Sequence, residues 1–155
     1  MTASAFKITE GDDGNSRTMS LTADVGNMEE VLSFLDGFLE EKDCSLKVQS
    51  AFDIAMDEIF SNICYYAYAG RPEAEGKGEA EITVKYLADK PGFEVIFKDW
   101  GIPYNPLEKP DPDVTLSLEE RDVGGLGIFM VKKSMDEINY ENSGGQNVLS
   151  IVKYI

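Results

Sequence analysis

Histidine is absent from the 155 residues. A Ser-His-Asp triad, a Cys-His dyad, a His-ligated metal and a phospho-histidine on this chain are thereby excluded. Cysteine is scarce: Cys44 and Cys64 lie far apart and form neither a CxxC pair nor a zinc spacing, so packed thiols are the expectation. Basic residues are few, 14 Lys+Arg against 29 Asp+Glu, for a formal net charge of −15. Such a charge repels nucleic acid and anionic membrane, and neither is expected as a partner. No apolar run approaches the roughly 20 residues that span a bilayer. Met1 to Glu10 carries no basic stretch followed by an apolar one, so a signal peptide is not expected and a cytoplasmic location is. Chemistry is left to carboxylates, amides, hydroxyls, glycines and a few cations.

What is present reads as a single globular domain over 1–155, with 43% hydrophobic and 28% charged residues. Residues 1–16 end in a polar Gly-Asp-Asp-Gly-Asn-Ser cluster and read as a flexible or strand extension. Met19, Leu21 and Ala23 alternate as a strand. Asn27, with Glu30 three residues on, is the expected cap of a helix whose stripe is Met28, Val31, Leu32, Leu35, Phe38 and Leu39. A second helix is expected from Leu46 to Ala69, with Phe52, Ala55, Ile59, Ile63 and Tyr66 facing the core and Gly70 and Pro72 ending it. Glu79–Leu87 and Phe93–Lys98 alternate as a hairpin around Lys90-Pro91-Gly92. The pattern dissolves from Asp99 to Val123, a stretch holding Pro103, Pro106, Pro110 and Pro112 that reads as a lid over 102–123. Gly124 to Lys133 reads as a glycine-opened helix, and Ile138–Glu141 and Asn147–Ile155 as a closing hairpin. The order predicts an α/β (α+β) two-layer sandwich, a mostly antiparallel sheet covered on one face by helices.

Three constellations carry candidate chemistry. Glu58 and Asn62, four apart on the second helix, project from one face, where a carboxylate can take a proton and an amide oxygen can ligate Mg²⁺. The same pair also fits a solvated Glu with an incidental Asn. Asp99, at a strand end before Gly101, can accept from an exocyclic amine; it equally fits a capping Asp in a Gly/Pro turn. Gly124-Gly125-Leu126-Gly127 opens a helix whose unpaired N–H groups attract phosphate, though a plain glycine loop would look the same. Arg121 in the lid is the favoured cation; Lys132 and Lys133 read as a solvated face.

In this order the three stretches resemble the GHKL, or Bergerat-fold, ATPases, and within them the small bacterial anti-sigma-factor serine-protein kinases. The resemblance rests on Asp57-Glu58-x-x-x-Asn62, Asp99-x-Gly101-x-Pro103-Tyr104-Asn105-Pro106 and Gly124-Gly125-Leu126-Gly127-Ile128-Phe129. Met135-Asp136-Glu137 and Asn147-x-Leu149-x-Ile151-x-Lys153 are also similar, so it spans roughly residues 20–155. It implies a Bergerat ATP-binding fold with ATP and Mg²⁺ bound between the helices and a lid. It further implies Glu58 as the general base, Asn62 as the Mg²⁺ holder, Asp99 as acceptor of the adenine amine and Gly101 as the residue leaving room for the ring. Pro103 belongs to the same motif. Gly124, Gly125, Leu126 and Gly127 would line the phosphates, with Arg121 neutralising charge. Relatives phosphorylate a serine of a STAS-type anti-anti-sigma protein, bind a sigma factor and are often homodimers, which implies partner switching. Where relatives often carry a histidine after the Asn, this chain has Ile63-Cys64-Tyr65-Tyr66-Ala67-Tyr68. A nucleotide-gated protein-binding module without kinase activity is the alternative.

Overall fold

The computed structural model describes residues 6–70, 77–108 and 126–155. Six strands are present there: β1 Phe6–Glu10, β2 Ser16–Thr22, β3 Glu79–Leu87, β4 Gly92–Asp99, β5 Glu137–Ser143 and β6 Gln146–Tyr154. They form one sheet in the order β1-β2-β3-β4-β6-β5, with every neighbouring pair antiparallel. Three α-helices accompany it: α1 Met28–Glu41, α2 Leu46–Asn62 and α3 Leu126–Ser134. This is the α+β architecture that the alternating strands and helical stripes imply. No helix among the described residues is long and apolar enough to cross a membrane.

Period-two patterning decides which face of the sheet is covered. Met19 and Leu21 of β2, Ala80, Ile82 and Val84 of β3, Phe93, Val95 and Phe97 of β4, and Leu149 and Ile151 of β6 are all buried. Register sets them in rows: Met19, Ile82, Phe97, Leu149 and Tyr140 stand side by side. Many of the intervening positions are polar and some pair with one another, as in Thr18–Thr83 at 2.9 Å and Ser150–Glu94 at 2.6 Å. Against the apolar face, α1 buries Val31, Phe34, Leu35, Phe38 and Leu39, and α2 buries Val48, Phe52, Ala55, Met56, Ile59 and Phe60. Phe93 meets Phe38 and Phe52 edge-on, with ring centroids 6.5 and 6.4 Å away, an arrangement aromatic quadrupoles favour.

Two local expectations change. Asn27 does not cap α1 with its side chain; it is buried and donates to the Thr22 carbonyl at 3.0 Å. Asp24 is the cap instead: its carboxylate accepts from Gly26 N at 2.9 Å and starts a 3₁₀ turn, Val25–Asn27, that leads into α1. The helix expected to run to Ala69 keeps α geometry only to Asn62 and then widens into a π-helix over Ile63–Ala67. The widened turn rotates the stripe, so Tyr66 stands exposed while Ile63 and Ala67 are buried. Ser45 caps the start of α2, accepting from Val48 N at 3.3 Å.

Candidate active site

The buried stripe of β4 runs Phe93, Val95, Phe97 and then, at the same parity, Asp99. Register places Asp99 beside Asn147 of β6, and Asn147 beside Asn142 of β5. The apolar face of the sheet therefore ends in a polar row. Asp99 is 5% exposed and Asn147 likewise 5%. A buried carboxylate needs partners, and Asp99 Oδ1 has two: Gly101 N at 2.9 Å and Asn147 Nδ2 at 2.8 Å. Among the described residues no donor reaches Asp99 Oδ2.

A cleft opens here, lined by Ile59, Asn62 and Ile63 on the helical side and Phe97, Asp99, Asn147 and Leu149 on the sheet. Tyr104, Pro106, Ile128 and Tyr140 complete its wall, as does Ala67. Apolar walls with a few convergent polar groups are the usual form of a small-molecule site. The π turn shapes one end. Ala67 O accepts from Ile102 N at 2.8 Å, which draws the segment after β4 onto the helix. A Cβ on Gly101 would lie 2.0 Å from that same carbonyl oxygen. Gly101 is thus required by the approach of Ala67; the room it leaves is taken by backbone rather than offered to a ring. Pro103 is exposed and is not among the lining residues. Trp100 follows Asp99, 47% exposed, with its N–H donated to Tyr68 Oη at 2.9 Å.

Asn62 ends α2 with its side chain in the cleft. One turn earlier, the Glu58 carboxylate lies against the start of α3: a Cβ on Gly127 would stand 2.0 Å from Glu58 Cδ. A helix N-terminus is a favourable seat for a negative group. Cys64, on the π turn, is no nucleophile. Burial above all, then the charge of Asp24, pushes its thiol up to about 12, so it stays protonated.

A profile of the histidine kinase-like ATPase domain matches residues 21–153. The chain belongs to that family. It is 27% identical over 125 residues to the serine-protein kinase RsbW of Listeria monocytogenes serovar 1/2a, covering 78% of this chain and 75% of that protein. It is 27% identical over 99 residues to RsbW of Bacillus pumilus, 61% of this chain and 59% of the relative. The serine/threonine-protein kinase BtrW of Bordetella bronchiseptica is 21% identical over 138 residues, 88% and 92% of the two chains.

A histidine kinase-like ATPase domain binds ATP, and the cleft has donors and acceptors suited to it. Asp99 offers a spare oxygen and Asn62 a neutral hard ligand, while Gly127, by lacking a side chain, leaves room for the Glu58 carboxylate at the start of α3. These three and Glu58 gather around α2, the end of β4 and the start of α3. Arg121, Gly124 and Gly125 lie outside the described residues, as does the expected lid from residue 109 onward. Tyr140 and Asn142 are site residues that the sequence motifs did not single out, and Asn147 heads one of the similar stretches but carried no role there. Their signal was present: each is a polar interruption or an aromatic on the parity of an apolar stripe.

Proposed function

We propose that this histidine kinase-like ATPase domain is an ATP-dependent protein serine kinase. In this reading it phosphorylates a STAS-type anti-anti-sigma partner, binds a sigma factor, and acts as a homodimer. The observation that carries the nucleotide part is buried Asp99, whose Oδ1 is saturated and whose Oδ2 remains for an amine. The relatives named as serine-protein kinases support the reaction.

Phosphoryl transfer asks a protein for positioning and charge neutralisation more than for covalent chemistry. Asp99 accepts from the adenine amine, with Tyr104 and Ile63 walling the cleft. Gly124, Gly125, Leu126 and Gly127 are the proposed phosphate-lining residues, with Arg121 the proposed source of positive charge. Asn62 is the holder of Mg²⁺, which when bound screens the phosphate charge. Glu58 takes the proton from the attacking serine hydroxyl.

The test is purified protein with Mg-ATP and a STAS-type partner bearing the acceptor serine. Phosphoserine is expected with the wild type. Glu58→Gln should bind ATP and cut the rate by about 10²–10⁴-fold, the share a general base supplies. Absence of phosphoserine with wild type defeats the kinase assignment. Partner control that survives Glu58→Gln but not Asp99→Asn selects the nucleotide-gated module instead.

A further inference from the structure

The helical layer stops short of one edge of the sheet. β1 is that edge, and all five of its residues are exposed. Its register with β2 sets Phe6 beside Leu21 and Ile8 beside Met19, so both belong to the face that the helices cover. Leu21 and Met19 are buried, yet Phe6 stays 48% and Ile8 44% exposed. A groove is left between β1 and α1, with Phe6, Ile8, Met19 and Phe34 as its apolar floor. Glu29, Glu30 and Ser33 of α1 form its rim, and among the described residues no lysine or arginine lines it. Glu30 Oε2 has no hydrogen-bond partner there. The groove shares no lining residue with the cleft around Asp99, and β1 lies ahead of residue 21, where the family match begins.

We infer that this groove docks a cationic amphipathic helix of a partner protein, its apolar stripe on Phe6 and Ile8 and its lysines or arginines against Glu29 and Glu30. The docking is independent of the ATP reading. The floor decides the form of the occupant. Phe6, Ile8, Met19 and Phe34 offer no hydrogen bonds, so a segment lying on them must satisfy its own backbone, which a helix does and a single extended strand does not. A helix about 10 Å across also covers about two strands spaced about 4.8 Å, the width of β1 and β2. The rim decides the charge. Two carboxylates stand there without a cation, one of them with an oxygen lacking any donor, and a cationic donor satisfies a carboxylate most strongly. A second copy is the poorer occupant. It carries a net charge of −15, and a two-fold contact through this groove would set Glu29 and Glu30 of both copies against each other.

The test uses the full chain and a synthetic helical peptide of about 18 residues, leucine at three-to-four spacing and lysine elsewhere. A scrambled peptide of the same composition controls for net charge. Calorimetry should show the amphipathic peptide binding wild type about tenfold or more tighter than the scrambled one. Ile8→Ser should weaken it by about tenfold through the lost apolar contact. Glu29→Gln with Glu30→Gln should weaken it by about three- to tenfold, whereas Asp89→Asn with Glu141→Gln, which removes two exposed charges elsewhere, should change it by less than about twofold. Equal affinity for the two peptides, or equal losses in the two double variants, reduces the binding to general charge attraction and overturns the inference. Unchanged affinity in Ile8→Ser also overturns it. Should that variant lose β1, Ser33→Arg takes its place: it sets a bulky cation on the exposed rim, and unchanged affinity there overturns the inference. Self-association of wild type without peptide, abolished by Ser33→Arg in sedimentation equilibrium, assigns the groove to a second copy and overturns it as well. None of these outcomes touches ATP binding, which is measured separately.

Discussion

A methyl group at Gly127 would occupy the place of the Glu58 carboxylate. Glu58 ends a flexible side chain, so Gly127→Ala should fold and displace the acid rather than unfold α3. Phosphotransfer should fall by about 10–10²-fold, since a misplaced group of about 1 Å has that order of effect, whereas thermal stability should change little. A variant with unchanged turnover in a phosphoserine assay would mean that Gly127 does not set the base. Asn62 makes a separate prediction. Chelating Mg²⁺ should weaken ATP binding of the wild type by about tenfold or more, as loss of a metal clamp on phosphate does. Asn62→Ala should bind ATP equally weakly with and without the metal. A titration in which Asn62→Ala still responds to Mg²⁺ would move the metal elsewhere.

At the level of elements, α1 and α2 share an awkward pair. Burial first, then a hydrogen bond to Asp36 and its charge, with Glu40 adding, pushes the Asp53 carboxyl up to about 7 from 3.8. The Oδ1 atoms of both Asp36 and Asp53 are buried without a hydrogen-bond partner. The folded state thus holds a proton on Asp53 that the unfolded chain releases near 4. Stability from this group is complete below about pH 4 and is lost as pH rises through about 7. Asp53→Asn should therefore stabilise the protein at pH 8 by about 1–2 kcal/mol after solvent screening, with the gain vanishing at pH 4. Denaturant melts at the two pH values check it, and a gain independent of pH counts against it. Phe52, between the helices and Phe93, is the opposite case: Phe52→Ala should cost about 3–5 kcal/mol through the cavity left behind. The strands and helical stripes were legible because alternation and three-to-four spacing record burial directly. The π turn was not. It is held by Ala67 O against Ile102 N and Gly101, a contact between segments that no local pattern joins. Asn27 misled for a similar reason: Asp24 and Asn27 both suit a helix start, and the Thr22 carbonyl decides between them.

For the whole molecule, the acidic character that argued against nucleic acid also bears on nucleotide capture. A chain of net charge −15 repels a polyphosphate at long range. Raising salt from 0.01 to 0.15 M shortens the screening length from about 30 to 8 Å, so ATP association should quicken by about two- to fivefold. Stopped-flow binding at the two salt levels reads this, and slowing with salt would reveal a locally positive approach. Sheet order explains how a site can sit in such a chain. Asp99, Asn142 and Asn147 come from β4, β5 and β6, and Asp99, far from the other two in sequence, is their neighbour in one row. The sequence showed Asp99 through its glycine-bearing motif and Asn147 at the head of the closing stretch, but only register shows that the two are paired. One neighbour of that row has a practical consequence. Trp100 is the sole indole of the protein, partly open to solvent and pinned through its backbone to Tyr68. Its emission reports on this corner of the fold without interference from any other tryptophan, so the unlabelled chain carries its own optical gauge of the segment that follows Asp99.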